Sequence, residues 1–281
     1  MANLYRQAWI GLKHQVLVRL VHECQRIVNR YPMPMRPSSL PAEVQQALAL
    51  PAAQLLPLAE DPALRQRLTR HLASARFQSS RQIFADGEHM LPCWLESDLT
   101  LLDDWLTSPR YYPLYFALFQ LGAGQIPAPR MLEIGVRTGY MGAVFARAID
   151  GPSFYLGLDP NIYLKHGLDF AHQTYAILRE QIHGFEYSLL EGYSWDRATQ
   201  QSLRYSGPFN WIHIDGDHTL AGKLIDLAFA REILAPDGFV LVDDYDNHPL
   251  IVGAIQRAIA LGWYRSFAYL PTLRGLAVLQ R

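Results

Sequence analysis

Three carboxylates stand where this chain could do its chemistry. Asp215 follows the apolar run Phe209–Ile214, and Asp243 and Asp244 follow the run from Gly238 to Val242. Like charges brought together repel unless a cation lies between them. Hard oxygen donors favour Mg2+, Mn2+ or Ca2+ over zinc. Aspartates at such places also cap helices, or pair with Lys223, Arg231 or another arginine. Asp217 competes with Asp215 as a ligand. His218 is the candidate base, because an imidazole can be neutral near pH 7 and take a proton from a hydroxyl. Its alternative is a loop histidine bonded to a carboxylate. His213 falls inside a strand pattern and reads as a satisfied core residue, and His248 as outer support or surface.

A second constellation is Met131-Leu-Glu-Ile-Gly-Val-Arg-Thr-Gly-Tyr-Met-Gly142. It reads as a strand, a tight glycine turn and a helix. Gly135 has no Cβ, so the backbone can bend sharply there or admit a ligand closely. The spacing Gly-x-x-x-Gly differs from the Gly-x-Gly-x-x-Gly of dinucleotide binders, which disfavours a nicotinamide dehydrogenase. Asp159 ends the next apolar run, where an acidic group can accept from both ribose hydroxyls. Its alternative is a helix cap with Pro160 behind it. Ser194 and Trp195 follow the third run, and Trp195 offers either a stacking face or a buried core ring.

These residues need strands to hold them. The pattern predicts strands at Ser153–Leu158, Phe185–Leu190, Phe209–Ile214 and Gly238–Val242, after the first one that feeds Gly135. Helices are predicted over Ala143–Ile149, Gly167–Gln181, Leu220–Leu234 and Pro249–Leu261. A closing hairpin-like pair spans Tyr264–Tyr269 and Gly275–Gln280, too close for a crossover helix, so one strand should run antiparallel. Alternating strands and helices with continuous apolar strands mean a parallel sheet covered on both faces. In such sheets ligands bind at the carboxyl ends of the strands. Five consecutive strand ends here carry glycine or polar residues, and one shared cleft explains all five.

Residues 1–108 read as a helical, proline-punctuated region serving as a cap or an oligomerisation arm. An amphipathic helix is predicted over Leu4–Val28, a proline-rich connector over Tyr31–Pro41, and further helices over Ala42–Leu48, Pro62–Ala75 and Glu96–Leu106. Pro62 suits a first helical position behind Asp61 as cap. The aromatic helix Tyr111–Phe119 is core packing that can also bring a tyrosine to the edge of the cleft.

The chain has 281 residues, of which 50% are hydrophobic and 18% charged, with a formal net charge of −1. Such a chain builds a packed core and lacks a large phosphate-neutralising surface, so no nucleic-acid partner is expected. Its two cysteines, Cys24 and Cys93, form no metal or disulfide pattern. No apolar run is long enough to span a bilayer. A soluble cytoplasmic protein without a membrane partner is the expectation.

Taken in order, these motifs resemble the class I S-adenosylmethionine-dependent methyltransferases. Glu133-Ile-Gly135-x-x-x-Gly139 is similar to that family's first motif, and Asp159 to its acidic residue on the second strand. Ile214-Asp-Gly-Asp-His218 with Val242-Asp-Asp-Tyr245 resembles the small-molecule O-methyltransferases of the macrocin and cephamycin type, and more distantly the catechol type. The resemblance covers about residues 111–281. It implies a doubly wound, Rossmann-like, mostly parallel seven-stranded sheet with an antiparallel terminal strand, as a core domain over 109–281. It implies that Glu133, Gly135, Thr138 and Gly139 surround the methionine part of S-adenosylmethionine. Asp159 would hold the ribose, Ser194 and Trp195 would flank the adenine, and Asp215 would also face the cofactor. Asp215, Asp243 and Asp244 would ligate a divalent metal, Mg2+ first among them. His218 stands where catechol-type enzymes carry a catalytic lysine.

The function that follows is metal-dependent methyl transfer to a hydroxyl of a sugar, polyketide or phenolic natural product. Two rivals stay open: a metal-independent methyltransferase acting on nitrogen or a macromolecule, and a non-catalytic protein that keeps the cofactor cleft. The helical N-terminal region makes a homo-oligomer an expectation.

Overall fold

The computed structural model describes residues 40–84, 108–121, 126–162 and 167–281. The helices expected over 4–28 and 96–106, most of the proline connector and both cysteines lie outside the described residues. Helices α1 (Ala42–Ala49), α2 (Pro62–Ser74), α3 (Ser80–Ile83) and α4 (Tyr112–Phe119) precede the sheet. Then follow β1 (Arg130–Ile134), α5 (Tyr140–Ile149), β2 (Ser153–Asp159), α6 (Gly167–Gln181), β3 (Phe185–Glu191) and α7 (Arg197–Ser206). The chain closes with β4 (Phe209–Ile214), α8 (Leu220–Ile233), β5 (Leu234–Val242), α9 (Pro249–Ala260), β6 (Ser266–Leu270) and β7 (Leu276–Gln280).

The seven strands lie in the order β3-β2-β1-β4-β5-β7-β6. Strands β1 to β5 pair in parallel, and β7 runs antiparallel to both β5 and β6. This is the expected doubly wound, Rossmann-like sheet, with the reversed strand inserted between β5 and β6. No described helix is long and apolar enough to cross a membrane.

Alternation along each strand divides the core in two. Met131, Tyr155, Trp211, Phe239 and Leu241 face α4 and α5. Leu132, Ile134, Leu156, Ile212, Val240 and Val242 face α8 and α9. Helix α4 is apolar nearly all round, and Tyr115, Phe116 and Phe119 are completely buried. Phe119 meets Phe145 and Trp211 edge-on, with centroids 5.5 and 6.2 Å apart.

The described N-terminal segment is strapped to this core. Val44 and Ala47 of α1 are buried in the α8–α9 layer, and Glu43 pairs with Arg231 at 2.8 Å. Asp61 caps α2 through the N–H groups of Ala63 and Leu64, at 2.8 and 3.0 Å. The same carboxylate accepts from Ser266 Oγ at 2.6 Å, and the Asp61 N–H donates to the Phe267 carbonyl at 2.7 Å. The Tyr269 N–H donates to Glu60 at 2.7 Å. Strand β6 is the sheet edge on this side, so Glu60 and Asp61 cover backbone groups that would otherwise stand unpaired.

Helices α3 and α7 and strand β5 differ from the sequence reading, which expected no element at Ser80–Ile83. Helix α7 fills the stretch between Trp195 and β4, for which no element was expected. Its single buried residue is Leu203, too little apolar pattern to read. Strand β5 starts at Leu234 rather than Gly238, because the register shifts between the pairs Phe209–Leu234 and Trp211–Phe239 and keeps Ala235–Gly238 in the strand.

Candidate active site

Sheet register aligns the chemistry. Ile134 lies opposite both Leu158 and Ile214, and Ile214 lies opposite Val242. The residues that follow are therefore neighbours across four strands: Asp159, Gly135, Asp215 and Asp243. Gly135 has φ +95°, and a Cβ there would stand 2.5 Å from the Asp215 carbonyl oxygen. Only glycine fits, and the immediate cause is close packing of the glycine turn on the end of β4. Gly139, at φ +92°, caps α5, and the Thr138 side chain is buried beside it.

Asp159 is tied to the same turn. Its two oxygens accept from the Arg137 N–H at 2.9 Å and the Asn161 N–H at 2.7 Å. Among the described residues it caps no helix, since Pro160–Ile162 are not helical. Ser194 turns inward and donates to Asp226, while Trp195 stacks on Tyr193 with centroids 4.5 Å apart. Burial pushes the Asp226 carboxyl up to about 7, against the charge of Lys223 and the Ser194 hydrogen bond.

Beneath the turn, Glu133 and His213 are register partners and share one face of the sheet. His213 Nδ1 is 3.3 Å from Glu133 Oε1, and Tyr155 donates its hydroxyl to the same carboxylate. Burial raises the Glu133 carboxyl above its usual range. Burial would lower the His213 imidazole, but the hydrogen bond and charge of Glu133 prevail and raise it. His213 is thus a polar partner in the floor of the site. The two residues, with Tyr111, Tyr112, Gly135 and Asp215, line a cavity that opens onto the turn. A wider depression lies at the far, N-terminal end of β4 by Gly207 and Pro208, away from these groups.

The three expected carboxylates do converge, but a side chain from the β6–β7 turn stands among them. Arg274 places Nη1 3.8 Å from Asp215 Oδ2 and 3.8 Å from Asp243 Oδ2. Its Nε and Nη2 grip both oxygens of Asp244. Tyr111 donates its hydroxyl to Asp243 Oδ2 at 2.5 Å. Burial would raise the Asp215 carboxyl, but the Arg274 charge and the His218 hydrogen bond hold it well below the usual range. Burial raises Asp243, with the charges of Asp215 and Asp244 adding to it and Arg274 opposing. Burial and then the Asp243 charge keep the Tyr111 phenol protonated far above its ordinary range.

His218 overlooks this cluster with its side chain 22% exposed. Its Nε2 is 3.5 Å from Asp215 Oδ1 and 3.3 Å from Asp244 Oδ2, and its ring lies 4.6 Å from that of His248. Asp217 does not join the cluster, because its oxygens accept from the Thr219 N–H at 2.8 Å and the Thr219 hydroxyl at 3.0 Å.

The expected divalent ion does not fit between Asp215, Asp243 and Asp244 as the site is folded. Carboxylate ligands stand about 2.0–2.6 Å from such an ion, and the guanidinium takes that space. A second donor set, His218, Asp244 and His248, has its ligand atoms within 4.8 Å of one another, but its carboxylate is the one Arg274 grips.

Residues 132–245 match the protein family described as a methyltransferase domain. The matched segment runs from β1 to just past the end of β5. That segment holds Glu133, the glycine turn, Asp159 and every acidic residue of the cluster. Arg274 lies outside the matched segment, on the closing hairpin.

Solved structures similar to this chain have low sequence identity. An SAH-bound methyltransferase from Podospora anserina is 14% identical, with 80% of this chain and 98% of that chain covered and a TM-score of 0.48. A TDP-rhamnose 3'-O-methyltransferase of calicheamicin biosynthesis is 16% identical, with 79% and 96% covered and a TM-score of 0.48. An O-methyltransferase from Bacillus cereus in complex with SAH is 16% identical, with 78% and 97% covered and a TM-score of 0.46. A search of curated proteins returned no match.

Sequence reasoning missed Arg274 and undervalued His213. Arg274 sits in Leu273-Arg-Gly275, which carries no recognisable spacing. The signal for His213 was its place one residue before Ile214 on a strand next to Glu133.

Proposed function

We propose that this protein moves the methyl group of S-adenosylmethionine to a hydroxyl of a small molecule. The observation that carries the reading is a contact: the Gly135 turn, where the donor would lie, packs directly on Asp215, three residues before His218. A donor over the turn and an acceptor over the acidic cluster would then be neighbours. His218 would take the acceptor proton, and the oxygen would attack the sulfonium methyl in line. The protein's part is chiefly positioning, since a bound near-attack geometry removes much of the entropic barrier. Glu133, held by His213 and Tyr155, would stand beneath the donor's cationic end. Asp159 would accept from the ribose with the lone pairs its two backbone partners leave.

No step is routed through a divalent ion, because the carboxylates that would hold one are occupied by Arg274. Hydroxylated natural products, phenolic ones above all, are the substrate class of this reading. Labelled S-adenosylmethionine with a panel of phenols and sugars tests it. Wild type should label at least one of them. His218→Ala should lose about 10²–10⁴-fold in turnover, the usual contribution of a general base, and still bind S-adenosylhomocysteine. Full turnover in His218→Ala would remove that residue from the chemistry.

A further inference from the structure

We infer that Arg274 is the resident cation of this site and takes the place of a divalent metal. The inference rests on the methyl-transfer reading above and deepens it. Three carboxylates converge at the ends of β4 and β5, and two of them, Asp243 and Asp244, are completely buried. Buried like charges need a compensating cation. Arg274 supplies a permanent one, since a guanidinium is never deprotonated in a protein.

The backbone holds the arginine in place. The Asp246 N–H donates to the Arg274 carbonyl at 3.0 Å, and the Tyr245 N–H to the Gly275 carbonyl at 3.1 Å. Gly275 has φ +77°, and a Cβ there would stand 2.4 Å from Asp246 Cγ. The β6–β7 turn is therefore clamped onto the loop that follows Asp243 and Asp244. The guanidinium enters as a built part of the cluster, with only 17% of its side chain exposed.

The replacement changes the chemistry. A metal lowers the pKa of a bound hydroxyl by direct coordination, whereas a guanidinium offers only charge and hydrogen bonds. An acceptor acidic in its own right then suits the site best. A phenol, near pKa 10 like tyrosine, gives up its proton to His218 more readily than a sugar alcohol does.

Titration with Mn2+, read by electron paramagnetic resonance on the apo protein without donor or acceptor, tests the inference. Wild type should bind no stoichiometric Mn2+, and Arg274→Ala should gain a site at least about tenfold tighter, a difference of about 1.4 kcal/mol. Arg274→Gln, nearer in size, serves if the alanine variant fails to fold. Chelator treatment should leave wild-type turnover unchanged. One tight Mn2+ in wild type, through His218, Asp244 and His248 or otherwise, overturns the inference. Failure of both folded variants to gain Mn2+ affinity also overturns it. These readouts use no S-adenosylmethionine, so they stand apart from a failure of the methyl-transfer reading, which would show as absent S-adenosylhomocysteine binding.

Discussion

Arg274 meets Asp244 side-on, its Nε and Nη2 each donating to one carboxylate oxygen. The pair joins the closing hairpin to the end of β5, and the aspartate is completely buried. Such a pair adds little over an apolar replacement, but removing Arg274 leaves the buried Asp243 and Asp244 without their cation. Arg274→Ala should therefore lose about 3–5 kcal/mol of unfolding free energy. Urea denaturation measures it, and a loss below about 1 kcal/mol, the level of a surface pair, would contradict the geometry.

Asp226 predicts a pH dependence. Its carboxyl titrates at about 7 in the fold against a reference of 3.8, chiefly through burial. A raised acid stabilises the fold most below the reference value and loses that contribution as pH rises through the folded value. Wild-type stability should fall relative to Asp226→Asn between about pH 4 and about pH 7, by up to about 1.4 kcal/mol per unit. Parallel stability curves for the two proteins across that window would show that the carboxyl is not held protonated.

At Gly135 the cost is steric. A methyl group would have to sit 2.5 Å from the Asp215 carbonyl oxygen, on a backbone at φ +95°. Left-handed backbone alone costs an L-residue about 1–2 kcal/mol. Gly135→Ala should lose more than that in thermal unfolding and weaken S-adenosylhomocysteine binding as well. A variant with wild-type stability would mean that β1 and β4 do not end side by side.

The strap across β6 is tested at Asp61. Asp61→Ala removes a helix cap worth about 1 kcal/mol and the bond to Ser266. Amide exchange should quicken in α2 and at the β6 edge together. Exchange faster in α2 alone would mean that the strap contributes nothing to the sheet.

The sheet and most of the site were legible because strands buried on both faces are continuous apolar runs that end where polarity returns. Asp159, Asp215, Asp243 and Asp244 each mark such an end, and register then makes neighbours of residues far apart in sequence. Helix α7 was not legible, since one buried leucine leaves no period to find. His213 looked like core because a buried strand position says nothing of its partner, and only the β1–β4 register shows that it meets Glu133. A tyrosine of the aromatic stretch was expected at the cleft edge, but that it is Tyr111, bonded to Asp243, depends on how α4 docks. The carboxylate cluster was visible in the sequence and its counter-ion was not. A cation bound by three aspartates can be a metal or a side chain, and which one depends on where a distant hairpin folds.

The claim beneath all of this is that the Gly135–Gly139 turn and Asp159 bind the methyl donor. Isothermal titration of S-adenosylhomocysteine into wild type and Asp159→Ala tests it most directly. One-to-one binding that weakens at least about tenfold in the variant, about 1.4 kcal/mol, is the predicted result. No binding to wild type, or equal affinity in both proteins, would contradict it.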